Sequence, residues 1–284
     1  MDIYLVEAII NGILLGGVLA LLALGLNLIF GVMDVVWICY ADIVMCGMYL
    51  IYWLYVGLGW PLLLASAVTI TSLAVFGILV HLLIIEPILG SPPINQLLAT
   101  GGLLFFLQSF ATLVFGTDFR NIGVRLPVIE FEGVYISFAR LLAFGTALIG
   151  SIALYFFLKR TFIGTAIRAI AQDRDIIGLM GADRRRIYLI TSMIGGALAG
   201  FAACLLALQY DVHPFIGNTF GPLIFMICVL GGLGDMIGGL IAAFVISQII
   251  SIGGYYSNTE LSYVLAFTFF IVLMFVRPRG ILTR

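Results

Sequence analysis

Charge is what this sequence has least of. Only 10% of its 284 residues are Asp, Glu, Lys or Arg, while 63% are hydrophobic; a soluble domain carries roughly a quarter charged residues. With a mean hydropathy of +1.23, there is little room for a soluble domain. Lysine is nearly missing. The single one, Lys159, is followed by Arg160, so no G-x-x-x-x-G-K-[ST] phosphate loop can occur, and any ATP must be bound by another polypeptide. No H-E-x-x-H helix and no G-x-S-x-G elbow is present, which argues against an embedded metalloprotease or serine hydrolase. Cys39, Cys46, Cys204 and Cys228 sit in apolar runs without a C-x-x-C pair, the pattern of small buried hydrophobes rather than of a metal site. His81 and His213 are too far apart and too short of partners for a metal centre. Asp2 and Glu7 stand where a signal peptide would be basic, so the first apolar segment reads as a retained span.

What is there is a series of membrane-length apolar runs. A spanning helix needs about 20 such residues, and Leu5–Phe30 supplies them with Ala8, Gly12, Gly16 and Ala20 at every fourth position, a row that admits a neighbouring helix closely. The next run, 34–58, is interrupted by Asp34 and Asp42. A carboxylate at that depth costs several kcal/mol unless it faces protein or water, so this segment is expected to be broken, re-entrant or cavity-lining. Further spans are expected over Pro61–Ile85, Ile94–Gly116, Ile136–Leu158, Ile187–Gln209, Phe220–Leu233, Met236–Gly253 and Ser262–Val276, with Thr117–Tyr135 a polar loop. The expected fold is an all-α polytopic membrane protein forming one domain over 1–284, with about eight transmembrane helices plus one broken or re-entrant segment. Asp42, Gln96 and Gln248 are the polar side chains expected to line a pathway. Gly12, Gly16, Gly196, Gly200, Gly234 and Gly238 are expected to serve close helix packing.

The basic residues are unevenly placed. Seven of the thirteen Lys and Arg fall between Lys159 and Arg186, and none precedes Arg120. A basic insert between two spans cannot cross a bilayer, and its charge assigns it to the cytoplasmic face; Arg277, Arg279 and Arg284 place the C-terminus on the same side. Four crossings between insert and tail agree. The N-terminus lies outside if 34–58 crosses fully and inside if it is re-entrant. Within the insert, Ile163, Ala166, Ile167 and Ile170 keep helical spacing while Arg168 falls on another face. Such a helix can rest on anionic lipid or dock in a groove of a cytoplasmic protein.

Gly164, Arg168-Ala169, Asp173 and Gly181, followed by GGALAG (Gly195–Gly200), resemble the coupling loop of ABC importer permeases of the branched-chain amino acid family. LGGLGDMIGGLIAA (Leu230–Ala243), LATGGLLFFLQSFATLVFG (Leu98–Gly116) and RPRGI (Arg277–Ile281) resemble further segments of those permeases, in the same order. One stretch departs: Trp37-Ile38-Cys39-Tyr40-Ala41 stands before Asp42 where the family commonly reads Asn-Phe-Ala-His-Gly before an acidic residue.

The resemblance implies a permease subunit of the bacterial inner membrane with no covalent chemistry and no cofactor of its own. It implies a second permease subunit, identical or homologous, and two cytoplasmic ATPase subunits carrying ATP and Mg. An external substrate-binding protein would deliver a small polar solute: a branched-chain or other amino acid, or a related amide, urea or carboxylate. The coupling loop (159–186) would dock its apolar face (Ile163, Ile167, Ile170) on the ATPase through Gly164, Arg168, Asp173 and Gly181. Membrane lipids are the other expected partner, and nucleic acid is not one. The competing expectation is an ion-coupled secondary transporter or channel working through Asp34, Asp42 or Asp235.

Overall fold

The computed structural model describes residues 3–124, 127–131, 134–172, 183–277 and 280. Its helices are α1 (Ile3–Met33), α2 (Tyr40–Gly57), α3 (Leu62–Ile88), α4 (Pro93–Phe115), α5 (Phe138–Arg160), α6 (Phe162–Gln172), α7 (Arg184–Ala207), α8 (Ile216–Gly231), α9 (Met236–Tyr256) and α10 (Thr259–Val276). Seven of these are long and apolar enough to cross a membrane; α8 and α10 are shorter apolar helices. The protein is a polytopic helical membrane protein.

α1 is the central element. Apolar on every side, as a helix enclosed by protein must be, it packs against α9, α5, α7 and α8. Its contact with α9 uses the small-residue row. A Cβ on Gly12 would meet the Gln248 side chain at 2.8 Å, and one on Gly16 the Ser247 hydroxyl at 2.6 Å. The other close crossing is α3 on α7, where a Cβ on Gly196 would strike the Leu73 carbonyl and one on Gly200 would lie 2.9 Å from Ile70 Cα. α8 turns into α9 through Gly231 and Gly238, which touch backbone to backbone, while Gly234, with φ +85°, sits against Gly31 of α1.

Contacts sort the helix ends into two groups. At one end Glu86 of α3 pairs with Arg185 of α7 (2.6 Å), Asp34 shares a cleft with Arg168, and Gly280 lies against Gly232. We call this the insert end. At the other, Arg140 bonds Asn11 (2.8 Å), Asn121 bonds Asp211 (2.7 Å), Arg120 bridges to Val212, and the Arg120 guanidinium stands 5.6 Å from the Tyr52 ring. α2 therefore runs from the insert side to the far end. The 34–58 segment thus runs from one end of the bundle to the other after a non-helical start, and the beginning of α1 lies at the end opposite Arg185 and Gly280.

Two local features differ from the sequence expectation. Residues 117–135 are not all loop: Val128–Phe131 (β1) and Val134–Ser137 (β2) pair antiparallel with Val128 opposite Ser137, and α5 begins only at Phe138. The β-branched and aromatic residues Val128, Ile129, Phe131, Val134, Tyr135 and Ile136 favour strands, so Ile136 belongs to the hairpin and not to the span. α3 also continues beyond Ile85 to Ile88 through a widened π turn, His81–Ile85. Pro87 has no N–H to offer the fourth preceding carbonyl, and a π turn is one way for a helix to absorb that.

Candidate functional site

The break between α1 and α2 builds the site. Asp34 ends α1 in the left-handed region (φ 55°), its N–H donating to the Phe30 carbonyl at 2.7 Å; aspartate is among the few non-glycine residues that take this conformation readily. Residues 35–39 then run without helix through the protein interior. Non-helical backbone at membrane depth has to be satisfied by protein or water, and here side chains and turns do so. Thr100 Oγ1 of α4 is 3.0 Å from the Val36 carbonyl and 2.9 Å from the Gln96 carbonyl of its own helix, its one O–H shared between them. Tyr40 N–H donates to the Trp37 carbonyl, and Asp42 and Ile43 N–H donate to that of Cys39. The Tyr40 hydroxyl donates to Gly195 of α7 (3.2 Å).

Asp42 follows in the first turn of α2, 1% exposed. Its Oδ1 accepts from Gln108 Nε2 (2.9 Å), and the same amide donates to Asn218 Oδ1 (2.8 Å), joining α2, α4 and α8. Gly217 makes room for the carboxylate, because a Cβ there would overlap Asp42 Oδ1. Asp42 Oδ2 and Trp37 Nε1 are buried and have no hydrogen-bond partner among the described residues. Both residues line a cavity of about 530 Å³ between α2, α4 and α8, otherwise walled mainly by apolar groups such as Leu26, Leu97, Leu104 and Phe225. Ile38 and Phe225, 39% and 40% exposed, stand on this cavity's wall and make its side accessible.

A second cavity, about 900 Å³, lies at the insert end and is polar: Asp34, His81, Glu86, Gln96, Asp183 and Arg185 are on its wall. His81 Nδ1 is 3.0 Å from Ser192 Oγ, and His81 Nε2 has no partner among the described residues. The two cavities share one residue, Val36. The non-helical segment is thus the wall between them.

The residues singled out from the sequence do not all converge here. Asp42 is in the mid-span cavity. Gln96 lines the insert-end cavity and donates to the Ser91 carbonyl (3.2 Å). Gln248 is elsewhere, on α9 against α1, with Nε2 donating to the Ile9 carbonyl (3.0 Å). Asp235 caps α9, accepting from the N–H groups of Ile237 and Gly238, so its carboxylate serves the backbone. Gln108, Asn218 and Trp37 were not among the candidates. Gln108 was visible as a polar residue in an apolar span, whereas nothing local marked Asn218.

The insert corrects one expectation. The apolar face of α6 is already used: Ile167 and Ile170 are each 1% exposed and pack inside this chain. Gly164 is buried too, and a Cβ there would sit 2.5 Å from Leu158 Cα. The ends of α1, α5 and α7 offer apolar surface directly beside α6, so these residues are not free to dock elsewhere. Arg168 and Phe162 remain exposed. Asp173 and Gly181 lie outside the described residues.

Comparison with known proteins agrees with this architecture. Residues 8–274 match the family described as branched-chain amino acid transport system / permease component. The chain is 28% identical to the high-affinity branched-chain amino acid transport system permease protein BraD of Pseudomonas aeruginosa, over 98% of this chain and 95% of the relative. It is also 28% identical to the permease protein LivH of Escherichia coli, over 99% and 96%. A solved structure, PsaBC from Streptococcus pneumoniae in complex with Fab, shares the fold at a TM-score of 0.52 and 13% identity, covering 95% of this chain and 91% of that one. With the family match spanning nearly all of its helices, the chain belongs to the permease components of branched-chain amino acid transport systems.

Proposed function

We propose that this chain is the membrane-spanning subunit of an ATP-driven importer of the bacterial inner membrane and carries a small solute through the mid-span cavity to the insert end. The observation that carries this reading is the pair of neighbouring cavities, one beside Asp42 and the other opening among charged residues, with Val36 on the wall of both. That is the arrangement of an occluded path whose wall has to move. The non-helical backbone at 35–39 is the natural element to move, since it has few helical bonds to break. A branched-chain amino acid, or another small amino acid, amide, urea or carboxylate, is the proposed cargo.

The insert end is proposed to face the cytoplasm, because the basic insert and the tail are both there. Two ATPase subunits with ATP and Mg would engage it through the exposed face of α6 at Arg168 and the adjoining residues up to Arg186. An external binding protein would dock at the opposite end. A second permease chain, identical or homologous, is proposed to cover the accessible side of the mid-span cavity by Ile38 and Phe225.

The test is reconstitution. In lipid vesicles the chain alone should neither hydrolyse ATP nor concentrate any solute, and uptake should appear only with the second permease chain, the ATPases and the binding protein together. Gradient-driven uptake by the chain alone, dependent on protons or sodium and indifferent to ATP, would overturn the importer reading in favour of an ion-coupled carrier.

A further inference from the structure

One polar side chain on the mid-span cavity is both accessible and fixed in direction. Asn218, Pro222 and Phe225 are exposed, and with the partly buried Gly221 they form one stripe of α8 on the cavity wall, at the spacing of a single helix face. The Asn218 amide is not free to turn over. A carboxylate only accepts, so Gln108 must present its NH2 group to Asp42 Oδ1 (2.9 Å). The same nitrogen gives its second N–H to Asn218 (2.8 Å), which must meet it with Oδ1. The relay from Asp42 through Gln108 to Asn218 therefore has one polarity. It commits Asn218 Oδ1 to α4 and turns Nδ2 to the other side of the amide, where no described residue accepts from it.

We infer that Asn218 is a specificity-determining residue of the path: its Nδ2 donates to an acceptor oxygen of the solute, a carboxylate or carbonyl oxygen, while Gly221, Pro222 and Phe225 receive the apolar remainder. This rests on the importer reading and adds to it which end of the solute is read and by which residue. Every class of cargo proposed above carries such an oxygen. Asp42 is then a positioning residue, buried behind Gln108 and holding the Asn218 amide in its orientation. Phe225 stands seven residues beyond Asn218, about 10 Å along the helix axis. The oxygen of the solute thus points toward the start of α8 and its apolar end toward the insert. An amide exposed on a membrane helix has to be met by protein, water or solute, because lipid offers it no partner.

Gly221 supplies a reporter on the same stripe. A Cβ there would meet only Ala41 Cβ, at 3.5 Å, an ordinary contact, so Gly221→Cys should fold and place a thiol on the cavity wall. In membranes holding the complete transporter with Gly221→Cys, addition of N-ethylmaleimide at position 221 is timed by peptide mass spectrometry, with the unsubstituted chain as the blank. L-leucine, L-leucinamide and isopentylamine are the probes. They share one apolar body, and only the first two carry an acceptor oxygen. Those two should protect at concentrations about five- to tenfold below that of isopentylamine, the ratio expected for one hydrogen bond. With Asn218→Leu added, all three should protect at the isopentylamine concentration, and that remaining protection shows the cavity intact. Asn218→Asp keeps an acceptor for Gln108 but deletes the donor, and should bring the same loss for L-leucinamide.

Equal protection by all three probes before Asn218 is changed, or protection by none, would overturn the assignment. So would undiminished protection by L-leucinamide in both Asn218 variants. If both variants lose the second permease chain on purification and all probes fail together, Asn218 is a contact between permease chains and the assignment falls as well. Any of these results with ATP-coupled uptake intact in the Gly221→Cys membranes removes Asn218 and leaves the importer reading standing. Uptake that persists without ATP removes the importer reading whatever the protection pattern.

Discussion

Replacing Gln108 with leucine should destabilise the bundle more than its chemistry suggests, because one amide group serves two helices. Gln108 Nε2 donates to Asp42 Oδ1 at 2.9 Å and to Asn218 Oδ1 at 2.8 Å. Interhelical hydrogen bonds in membrane proteins average about 0.6 kcal/mol and reach about 1.7, so two of them bring the loss to roughly 1 kcal/mol at least. The larger effect is on the group left behind. Asp42 Oδ2 already lacks a partner among the described residues, so without Gln108 no other side chain among them bonds the buried carboxylate. Orphaning a buried acceptor costs about 1–3 kcal/mol, more when it is charged. We expect a total near 3 kcal/mol for Gln108→Leu, measured as the free energy of unfolding in mixed micelles titrated with a denaturing detergent. Asp42→Leu supplies the other edge of a double-mutant cycle, because it removes the acceptor, and the coupling between the two sites should be about 0.6–1.7 kcal/mol. A sharper version exchanges the groups. Gln108→Glu alone sets two carboxylates together and should be the worst variant, while Gln108→Glu with Asp42→Asn restores one amide and one carboxylate. A double variant no more stable than Gln108→Glu, or a coupling indistinguishable from zero, would refute the three-helix bond.

The glycine contacts make a second forecast: Gly196→Ala should cost about 1–3 kcal/mol by overpacking α7 against the Leu73 carbonyl. Gly101→Ala, where a Cβ meets nothing within 4 Å, should be neutral or gain up to about 1 kcal/mol; similar melting shifts for both would discredit the assignment of α3 on α7 as the tight crossing. Thr100→Val removes the 3.0 Å bond that holds the Val36 carbonyl and should raise ATP-independent leakage of solute from loaded vesicles; a tight variant would mean that the wall between the cavities is held by other contacts. Arg168→Glu reverses a charge on the exposed side of α6 and should lower recovery of the ATPase in pull-down while leaving insertion and melting unchanged. Full recovery together with wild-type coupled hydrolysis would remove Arg168 from the interface.

Much of the fold was legible because membrane spans follow from length and composition. The expected run Leu5–Phe30 lies within α1 (Ile3–Met33), and Ile94–Gly116 differs from α4 (Pro93–Phe115) by one residue at each end. Asp34 and Asp42 also marked the right segment as abnormal, since charge at that depth is costly. What they could not fix was how the abnormality is arranged. A break that re-enters and a break that crosses have the same composition, and the difference lies in tertiary contacts such as Thr100 with Val36 and Tyr40 with Gly195. The hairpin at 128–137 escaped for another reason: its apolar residues continue directly into α5, so hydropathy alone cannot divide them.

The site was less legible than the fold, and α6 shows why. Its periodicity identified an amphipathic helix, and the helix is there with Ile167 and Ile170 on one face. Periodicity shows that a face is apolar; it does not show what covers it, and the neighbouring ends of α1, α5 and α7 cover it in place of a partner. The same limit applies to polar residues in spans. Asp42, Gln96 and Gln248 look equivalent in sequence, yet Gln248 donates to a backbone carbonyl of α1 and leaves its own Oε1 unpaired among the described residues, Gln96 donates to a carbonyl beside its own helix, and Asp42 accepts from a side chain on another helix. In a bilayer interior a side chain is informative to the extent that its polar atoms are left unpaired by its own chain, and that pairing is set by Gln108 and Asn218, 66 and 110 residues along successive links of the bond network. No window of sequence contains it. The bonding of Asp42 is therefore a property of three helices meeting, α2, α4 and α8.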